Sequence, residues 1–544
     1  MSLSRLYLFD TTLRDGAQTQ GVDFSVADKL RIAGVLDQLG IDYVEGGYPG
    51  ANATDTEFFS TPPKLTTATF TAFGMTKRVG RSVSNDPGFQ AILQCSAPAI
   101  CLVAKAWDYH VRVALGITNE ENVEGVVESV KAVRASSAKR ESMIDCEHFF
   151  DGYKANRAYA MRVAQAAYDS GARWVVLCDT NGGTLPHEIE RIISDVAKII
   201  PGTHLGIHTH NDTENAVANT LAAVRAGVRQ IQGTLNGLGE RCGNANLTSI
   251  IPTLLLKSEF AEHFETGVTP ERLAHITRAS RVLDEILNRS PTRQAPYVGE
   301  SAFATKAGIH ASAILKEPQT YEHVPPESVG NRRRVLVSNQ AGRSNIMAEL
   351  ERVGIVIDKN DTRVAALLEE VKTRESVGYA YDGADASFEL LARRIIGDVP
   401  RYFSVDSFRV MVEKRHNALG QLVTVSEATV KVFVNGDSEP LWSVAEGNGP
   451  VNALDCALRK DLGRYQAHIK DIELVDYKVR ILTGGTEAVT RVLVETLDTS
   501  TGERWFTVGV SPNIIDASFE ALLDSINYKL LRSGAQVHDK TAIG

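Results

Sequence analysis

The sequence predicts an α/β protein that begins with a (β/α)8 TIM barrel, continues through small helical linker subdomains and ends in an α+β domain of two βββα units. Three observations support this fold class. Short apolar runs alternate with helix-period segments eight times between residues 5 and 257. A Pro- and Gly-rich stretch follows Asn288, and from about residue 403 the chain repeats one βββα pattern.

The eight βα units of the first half match the size of a closed barrel, although an open doubly wound sheet is the alternative that the pattern leaves. A helix is expected over Ser25–Leu39, where Ser25 and Asp28 make a capping-box start and Gly40 makes the stop. The predicted strands are Leu6–Phe9, Tyr43–Gly46, Thr66–Thr71, Ala99–Val103, Ser142–Glu147, Trp174–Cys178, His204–Thr209 and Arg229–Gly233.

The composition changes divide the chain into a barrel at 1–285, linker subdomains at 286–400 and a C-terminal domain at 401–535. The linker region contains the run from Lys306 to His310 and a helix-period segment at Arg363–Glu369. The two C-terminal copies have strands at Phe408–Val412, Thr429–Val434 and Trp442–Ala445, then at Glu473–Leu482, Val489–Thr496 and Arg504–Val510, with helices after Gly449-Pro450 and Ser511-Pro512.

Composition excludes several classes of protein. A length of 544 residues requires two or more domains, and a formal charge of −9 without a Lys/Arg-rich stripe disfavours nucleic-acid binding. No apolar run is long enough for a membrane span, and no signal peptide is evident, so we expect a cytoplasmic protein. The six cysteines form no C-x-x-C pair, which favours buried reduced thiols over a disulfide or a structural zinc site.

Polar residues cluster just past the carboxyl ends of the predicted strands, where barrel enzymes place their active sites. Glu45 at the end of the second strand is a candidate substrate-binding residue. Glu147 at the end of the fifth is a candidate acid/base group, or else a hydrogen-bonding anchor. The full set is Arg14, Asp15, Glu45, Glu147, Asp179, Thr180, His208, His210 and Asn244.

His208 and His210 give the sharpest local signal, because residues two apart on a strand project to the same face. Alone, such a pair is either a ligand pair or a polar strand end; together with Asp15 and Asn244 it predicts a catalytic metal site with open positions. A 2-oxo acid could chelate that ion, with Arg14 beside the developing alkoxide. The alternative for Arg14 is an ion pair with a neighbouring carboxylate.

The Gly-rich run Gly237–Gly243 is interpreted as a tight turn that presents Asn244, since its spacing does not fit a dinucleotide loop. The sequence contains neither G-x-S-x-G nor a Walker motif, which removes serine hydrolases and P-loop NTPases from consideration.

Three motifs resemble signatures of the DRE-TIM metallolyase family: Asp10–Gly16, His208-x-His210 and the segment Gly239–Asn244. Over essentially its full length the chain is similar to the 2-isopropylmalate, homocitrate and citramalate synthases of that family. The segments Glu45–Asn52 and Glu147–Tyr153 look most like the citramalate branch.

The resemblance implies a divalent metal (Zn, Mn, Mg or Co) and acetyl-CoA as co-substrate. It implies a Claisen-type condensation with pyruvate, in which an enolate attacks the keto carbon and the thioester is then hydrolysed to give citramalate. It also implies a homodimer with a C-terminal allosteric domain inhibited by isoleucine. The rival interpretations are a synthase that uses 2-oxoisovalerate, an acyl-CoA lyase on the same barrel, and a non-catalytic sensor of 2-oxo acids.

The resemblance also implies roles for single residues. The metal ligands would be Asp15, His208 and His210, with Asn244 as the fourth; Arg14 and Thr180 would contact the 2-oxo acid, and Glu147 would belong to the acid/base network. His310 and Tyr321, in the linker subdomain, would be catalytic residues that act in a neighbouring subunit's site.

Overall fold

The chain folds into two compact units in a computed structural model that describes residues 3–289, 291–305, 308–335, 343–397, 399–416, 418–435, 437–482 and 488–537. The first unit takes the chain up to Phe303 together with Glu322–Arg333. The second takes Ala304–Tyr321 and the chain from Arg334 onward. Among the described residues, no helix is both long and apolar enough to cross a lipid bilayer.

The first unit is a closed barrel of eight parallel strands, which confirms the predicted barrel and removes the open-sheet alternative. Closure comes from pairing of the first strand with the eighth, for example Phe9 with Gln232. The strands are β1 Tyr7–Asp10, β2 Tyr43–Glu45, β3 Thr69–Met75, β4 Ala99–Lys105, β5 Glu141–Glu147, β6 Trp174–Asp179, β7 Leu205–Thr209 and β8 Gln230–Gly233.

The helix after β1 shows why the local sequence predicted its ends so well. It spans Val26–Leu39, and the Ser25 hydroxyl accepts a hydrogen bond from the Asp28 backbone while the Asp28 carboxylate accepts one from Ser25. Gly40 ends it in the left-handed region at φ 95°, where a Cβ would lie only 2.4 Å from the Gly267 carbonyl oxygen.

Further helices surround the barrel, and their apolar faces cover the strands to form a continuous core. Those of seven residues or more are Ala53–Ser60, Pro87–Gln94, Asn119–Ser136, Phe149–Ala155, Arg157–Asp169, Pro186–Val196, Ala216–Arg225, Leu247–Leu256 and Ile276–Ile286. Inside the barrel, a second cluster that includes Phe9, Met143 and Trp174 fills the interior, so the strands form a packed core rather than a pore.

The second unit ends in two consecutive βββα modules, as the sequence repeat predicted. Each module is a three-stranded antiparallel sheet followed by a helix. The first has β9 Phe403–His416, β10 Leu422–Val434, β11 Leu441–Gly447 and the helix Pro450–Lys460. The second has β12 Ile472–Ile481, β13 Thr490–Asp498, β14 Arg504–Ser511 and the helix Ile514–Arg532.

The linker residues of the second unit are mainly helical, as expected. Their helices are Gly308–Ile314, Arg343–Arg352, Thr362–Ser376 and Asp385–Ile396, and the third contains the predicted segment Arg363–Glu369. Within the predicted run from Lys306 to His310, Lys306 and Ala307 lie outside the described residues.

Candidate metal centre and active site

Three of the predicted ligands meet at the carboxyl-terminal rim of the barrel. Asp15 follows β1, while His208 and His210 lie at the end of β7, where the alternation of the strand turns both rings to the same side. The Nε2 atoms of the two histidines are 3.2 Å apart. Asp15 Oδ2 lies 3.2 Å from the His208 Nε2 and 3.8 Å from the His210 Nε2.

The electrostatics of this cluster suit cation binding. Burial disfavours a charged Asp15, but Arg14 and the two imidazoles outweigh it and hold the pKa of this carboxyl below its usual range. Burial lowers the pKa of His210 to about 4, which keeps its ring neutral, the form that binds metals.

Asn244 follows the predicted Gly-rich turn. A backbone β-bridge pairs it with His210 and so places it beside the histidines. Its amide nitrogen donates to the Leu238 carbonyl oxygen at 3.0 Å. Its Oδ1 is buried and has no hydrogen-bond partner among the described residues. A buried oxygen without a donor is costly unless something satisfies it, and a cation would do so. The donor set of one carboxylate, two imidazoles and one amide oxygen therefore fits a divalent metal ion.

Arg14 lies next to this cluster and is held in place by Glu45. The Arg14 Nε donates to Glu45 Oε2 at 2.8 Å, and the Thr11 hydroxyl donates to the same oxygen at 2.5 Å. The guanidinium lies 4.0 Å from the centre of the Phe73 ring, and one of its nitrogens is 3.6 Å from Asp15. Arg14 thus forms an ion pair with the fully buried Glu45, and its role in substrate binding stays a prediction.

Glu147 and Thr180 lie at the ends of β5 and β6. Glu147 forms an ion pair with Lys105, its neighbour at the end of β4. The Thr180 hydroxyl accepts a hydrogen bond from the His148 backbone nitrogen at 2.9 Å, which links the two strand ends. The Thr180 carbonyl oxygen accepts one from Arg241 at 2.7 Å.

Two buried polar residues behind the histidines were missed by sequence reasoning. The Gln232 Oε1 lies 2.9 Å from the His208 Nδ1, and the Gln232 Nε2 donates to the Asp145 carboxylate at 3.0 Å. Burial raises the pKa of Asp145, while His208 and Arg14 oppose that rise. The available signal was the presence of polar residues at interior positions of two buried strands.

His310 and Tyr321 belong to the second unit, where their ring centroids are 4.3 Å apart. Both side chains are exposed. The two rings are therefore neighbours within this unit. Their catalytic role stays a prediction.

Family models match three consecutive segments of the chain. Residues 5–279 match the HMGL-like family model, residues 297–377 match the homocitrate synthase post-HMGL domain-like model, and residues 382–530 match the LeuA allosteric (dimerisation) domain. The resemblance inferred from the motifs is thereby confirmed.

Full-length relatives narrow the assignment. An (R)-citramalate synthase of Aquifex aeolicus is 48% identical over 97% of this chain and 98% of its own. Another from Geobacter sulfurreducens is 49% identical over 98% of each chain. A 2-isopropylmalate synthase of Ruminiclostridium cellulolyticum is 30% identical over 97% of this chain and 98% of its own. With its HMGL-like barrel and LeuA domain, the chain therefore belongs to the (R)-citramalate synthase family.

Proposed function

We propose that the protein condenses acetyl-CoA with pyruvate and water to give (R)-citramalate and CoA, as a cytoplasmic enzyme of isoleucine biosynthesis. The observation that carries this proposal is the convergence of Asp15, His208 and His210 beside Arg14 at the barrel rim. The full-length identity to (R)-citramalate synthases supports the choice of reaction, and the lower identity to 2-isopropylmalate synthase disfavours 2-oxoisovalerate as the substrate.

Asp15, His208 and His210 would hold the divalent ion, with the unpaired Oδ1 of Asn244 as the fourth ligand. Zn, Mn, Mg and Co remain the candidate metals. When bound, the ion supplies Lewis-acid polarisation of the keto group of the 2-oxo acid.

Arg14 binds the 2-oxo acid through its terminal guanidinium nitrogens and stabilises negative charge that develops on the keto oxygen. Glu45 acts on substrate through Arg14, because its buried carboxylate accepts a hydrogen bond from the guanidinium Nε and not from the two terminal nitrogens. Thr180, beside the Glu147 strand end, contributes a polar group to the same acid.

Glu147 removes a proton from the methyl group of acetyl-CoA, and the resulting carbanion attacks the keto carbon to form the new C–C bond. The former keto oxygen takes up a proton, and water then hydrolyses the thioester, which releases CoA as the thiol. The ammonium of Lys105 keeps the Glu147 carboxylate oriented at the strand end. His310 and Tyr321 would complete the site of a neighbouring subunit, so that the active form is a homodimer.

Residues 401–535 form the regulatory domain in this proposal. The match to the LeuA allosteric (dimerisation) domain supports both dimer formation and control by an end product. Isoleucine is the expected inhibitor, since the proposed reaction leads toward it.

The discriminating experiment is release of free thiol, followed with DTNB at saturating acetyl-CoA. The highest kcat/KM is expected with pyruvate, compared with 2-oxobutyrate, 2-oxoisovalerate and 2-oxoglutarate. A pocket shaped for pyruvate discriminates by about 1–3 kcal/mol per methylene-sized change, so the larger acids should react measurably more slowly. Tyr48, whose ring packs edge-on to Phe73 beside Arg14, is a candidate wall of that pocket.

A preference for 2-oxoisovalerate would instead assign a 2-isopropylmalate synthase with leucine as the expected inhibitor. An acyl-CoA lyase would cleave 3-hydroxy-3-methylglutaryl-CoA to acetyl-CoA and acetoacetate without releasing thiol, and a sensor of 2-oxo acids would bind pyruvate without turnover. Thiol release therefore separates a synthase from the other two interpretations, and cleavage of 3-hydroxy-3-methylglutaryl-CoA then separates a lyase from a sensor.

A further inference from the structure

A buried row of side chains runs behind the proposed metal ligand His208. It passes from the His208 Nδ1 to the amide of Gln232 on the adjacent strand β8, and from that amide to the Asp145 carboxylate on β5. The Cys101 thiol donates to the same oxygen, Asp145 Oδ1, at 3.1 Å. Gln232 has no solvent exposure, so water cannot replace these contacts.

The contacts fix which way the Gln232 amide faces. Asp145 Oδ1 is an acceptor for two donors, the Cys101 thiol and the Gln232 Nε2. Burial raises the pKa of Cys101 well above its usual range, so the sulfur stays a protonated donor. A flipped amide would set its oxygen against Asp145 Oδ1 and would lose this hydrogen bond. The amide oxygen of Gln232 is therefore the group that faces His208.

This orientation determines the tautomer of His208. An amide oxygen only accepts hydrogen bonds, so the His208 Nδ1 carries the proton. Nε2, the atom that lies 3.2 Å from Asp15 Oδ2, is then the ring nitrogen whose lone pair can bind a metal ion. We propose that Gln232 is a positioning residue that holds His208 in the Nδ1-protonated form and so presents Nε2 as a metal ligand. The proposal rests on the metal site of the proposed function.

Gln230 provides a matched control on the same strand. It lies two residues before Gln232, is equally buried and projects to the same face of β8. Its amide nitrogen instead points to the Met143 sulfur at 3.7 Å. Gln230→Leu and Gln232→Leu therefore remove the same group from the same strand, and only the second removes the acceptor of His208.

The experiment measures Co²⁺ binding to the full-length, metal-free protein by titration calorimetry and by the visible absorption of the bound ion. Gln232→Leu is expected to weaken binding by about 10- to 100-fold and to change the absorption spectrum, because the ligand ring loses its orientation. Gln230→Leu is expected to bind within about twofold of wild type. Equal binding by Gln232→Leu and wild type, or equal losses in both Leu variants, would overturn the proposal.

Gln232→Glu keeps an acceptor opposite the His208 Nδ1 while adding charge next to Asp145. If the acceptor is what matters, this variant binds Co²⁺ within about threefold of wild type. If it binds as weakly as Gln232→Leu, the positioning role is wrong. If Gln232→Leu does not fold, Gln232→Glu is compared with wild type alone, and a loss of about 10-fold or more in its Co²⁺ affinity would overturn the proposal. Absence of Co²⁺ binding by the wild-type protein would count against the metal site itself, and so against the proposed function.

Discussion

At the scale of single residues, Arg14 is the charge on which the arrangement of the rim depends. Two buried carboxylates face it, Glu45 through a hydrogen bond and Asp15 at 3.6 Å. Burial raises the pKa of Glu45, and the guanidinium opposes that rise. Arg14 thus positions Asp15, a proposed metal ligand, and is itself positioned by Glu45. A Lys at this position could not make both contacts in the same geometry, because its single ammonium lacks the fork of nitrogens.

Glu147→Gln tests the proposed base. The amide keeps the shape of the side chain but cannot accept a proton, so kcat is expected to fall by about 10²–10⁴-fold in the thiol-release assay. Glu141→Gln is the matched control at the opposite end of β5, where the carboxylate accepts a hydrogen bond from Tyr43. Near-normal turnover in Glu147→Gln would make this glutamate a structural partner of Lys105.

Single residues also show where sequence reasoning succeeds and where it stops. The alternation of a strand alone puts His208 and His210 on one face, so their pairing could be predicted. The link from His208 through Gln232 to Asp145 joins three separate strands, and no local pattern encodes which of them become neighbours in the closed barrel. The ion pair between Lys105 and Glu147 was missed because the predicted fourth strand ended at Val103, two residues before Lys105.

At the scale of elements, helix ends were predicted better than strand ends. The capping box of the helix Val26–Leu39 depends on residues three apart, which a sequence displays directly. The third strand was expected at Thr66–Thr71 but spans Thr69–Met75. The backbone amides of Thr66, Thr67 and Ala68 donate to the Asp37 carboxylate instead of entering the strand ladder. A distant side chain thus set the boundary.

Asp37→Asn tests this link between the first helix and β3. The variant loses a charged acceptor shared by three backbone amides, and we expect the free energy of unfolding to fall by about 2 kcal/mol. Urea unfolding of the full chain, followed by circular dichroism, measures the change. Asp23→Asn, at an exposed carboxylate before the start of the same helix, is the control and should leave the unfolding midpoint unchanged.

The contribution of Asp37 to the free energy of unfolding should also depend on pH. The three amides outweigh burial and hold the pKa of Asp37 below the ordinary value of 3.8. Its carboxylate therefore contributes stability above that value, and the contribution is lost as the pH falls through the folded-state pKa. The difference between wild type and Asp37→Asn should be complete at pH 7 and should shrink below about pH 4. A difference that grows on acidification would contradict this explanation.

At the scale of the whole molecule, the repeat of two βββα modules was readable because each copy carries its own strand alternation and helix start. The sequence did not reveal that one face of the first sheet stays exposed. Met411, Trp442 and Val444 share that face, and their residues are 52%, 64% and 43% exposed. The helix Pro450–Lys460 packs against the same sheet. Exposed apolar side chains grouped in this way are typical of an association surface.

We predict that this face is covered by a second copy of the chain in the proposed homodimer. Trp442→Glu places a charge at the surface, so sedimentation should show dissociation toward the monomer. Inhibition by isoleucine should weaken, because allosteric control depends on coupling between distinct sites. If His310 and Tyr321 act in a neighbouring subunit, kcat should fall as well. Ile514→Glu, at an exposed apolar residue that begins the last helix, is the matched control and should leave mass and inhibition unchanged. A Trp442→Glu protein that stays dimeric and fully sensitive to isoleucine would exclude this sheet face from the interface.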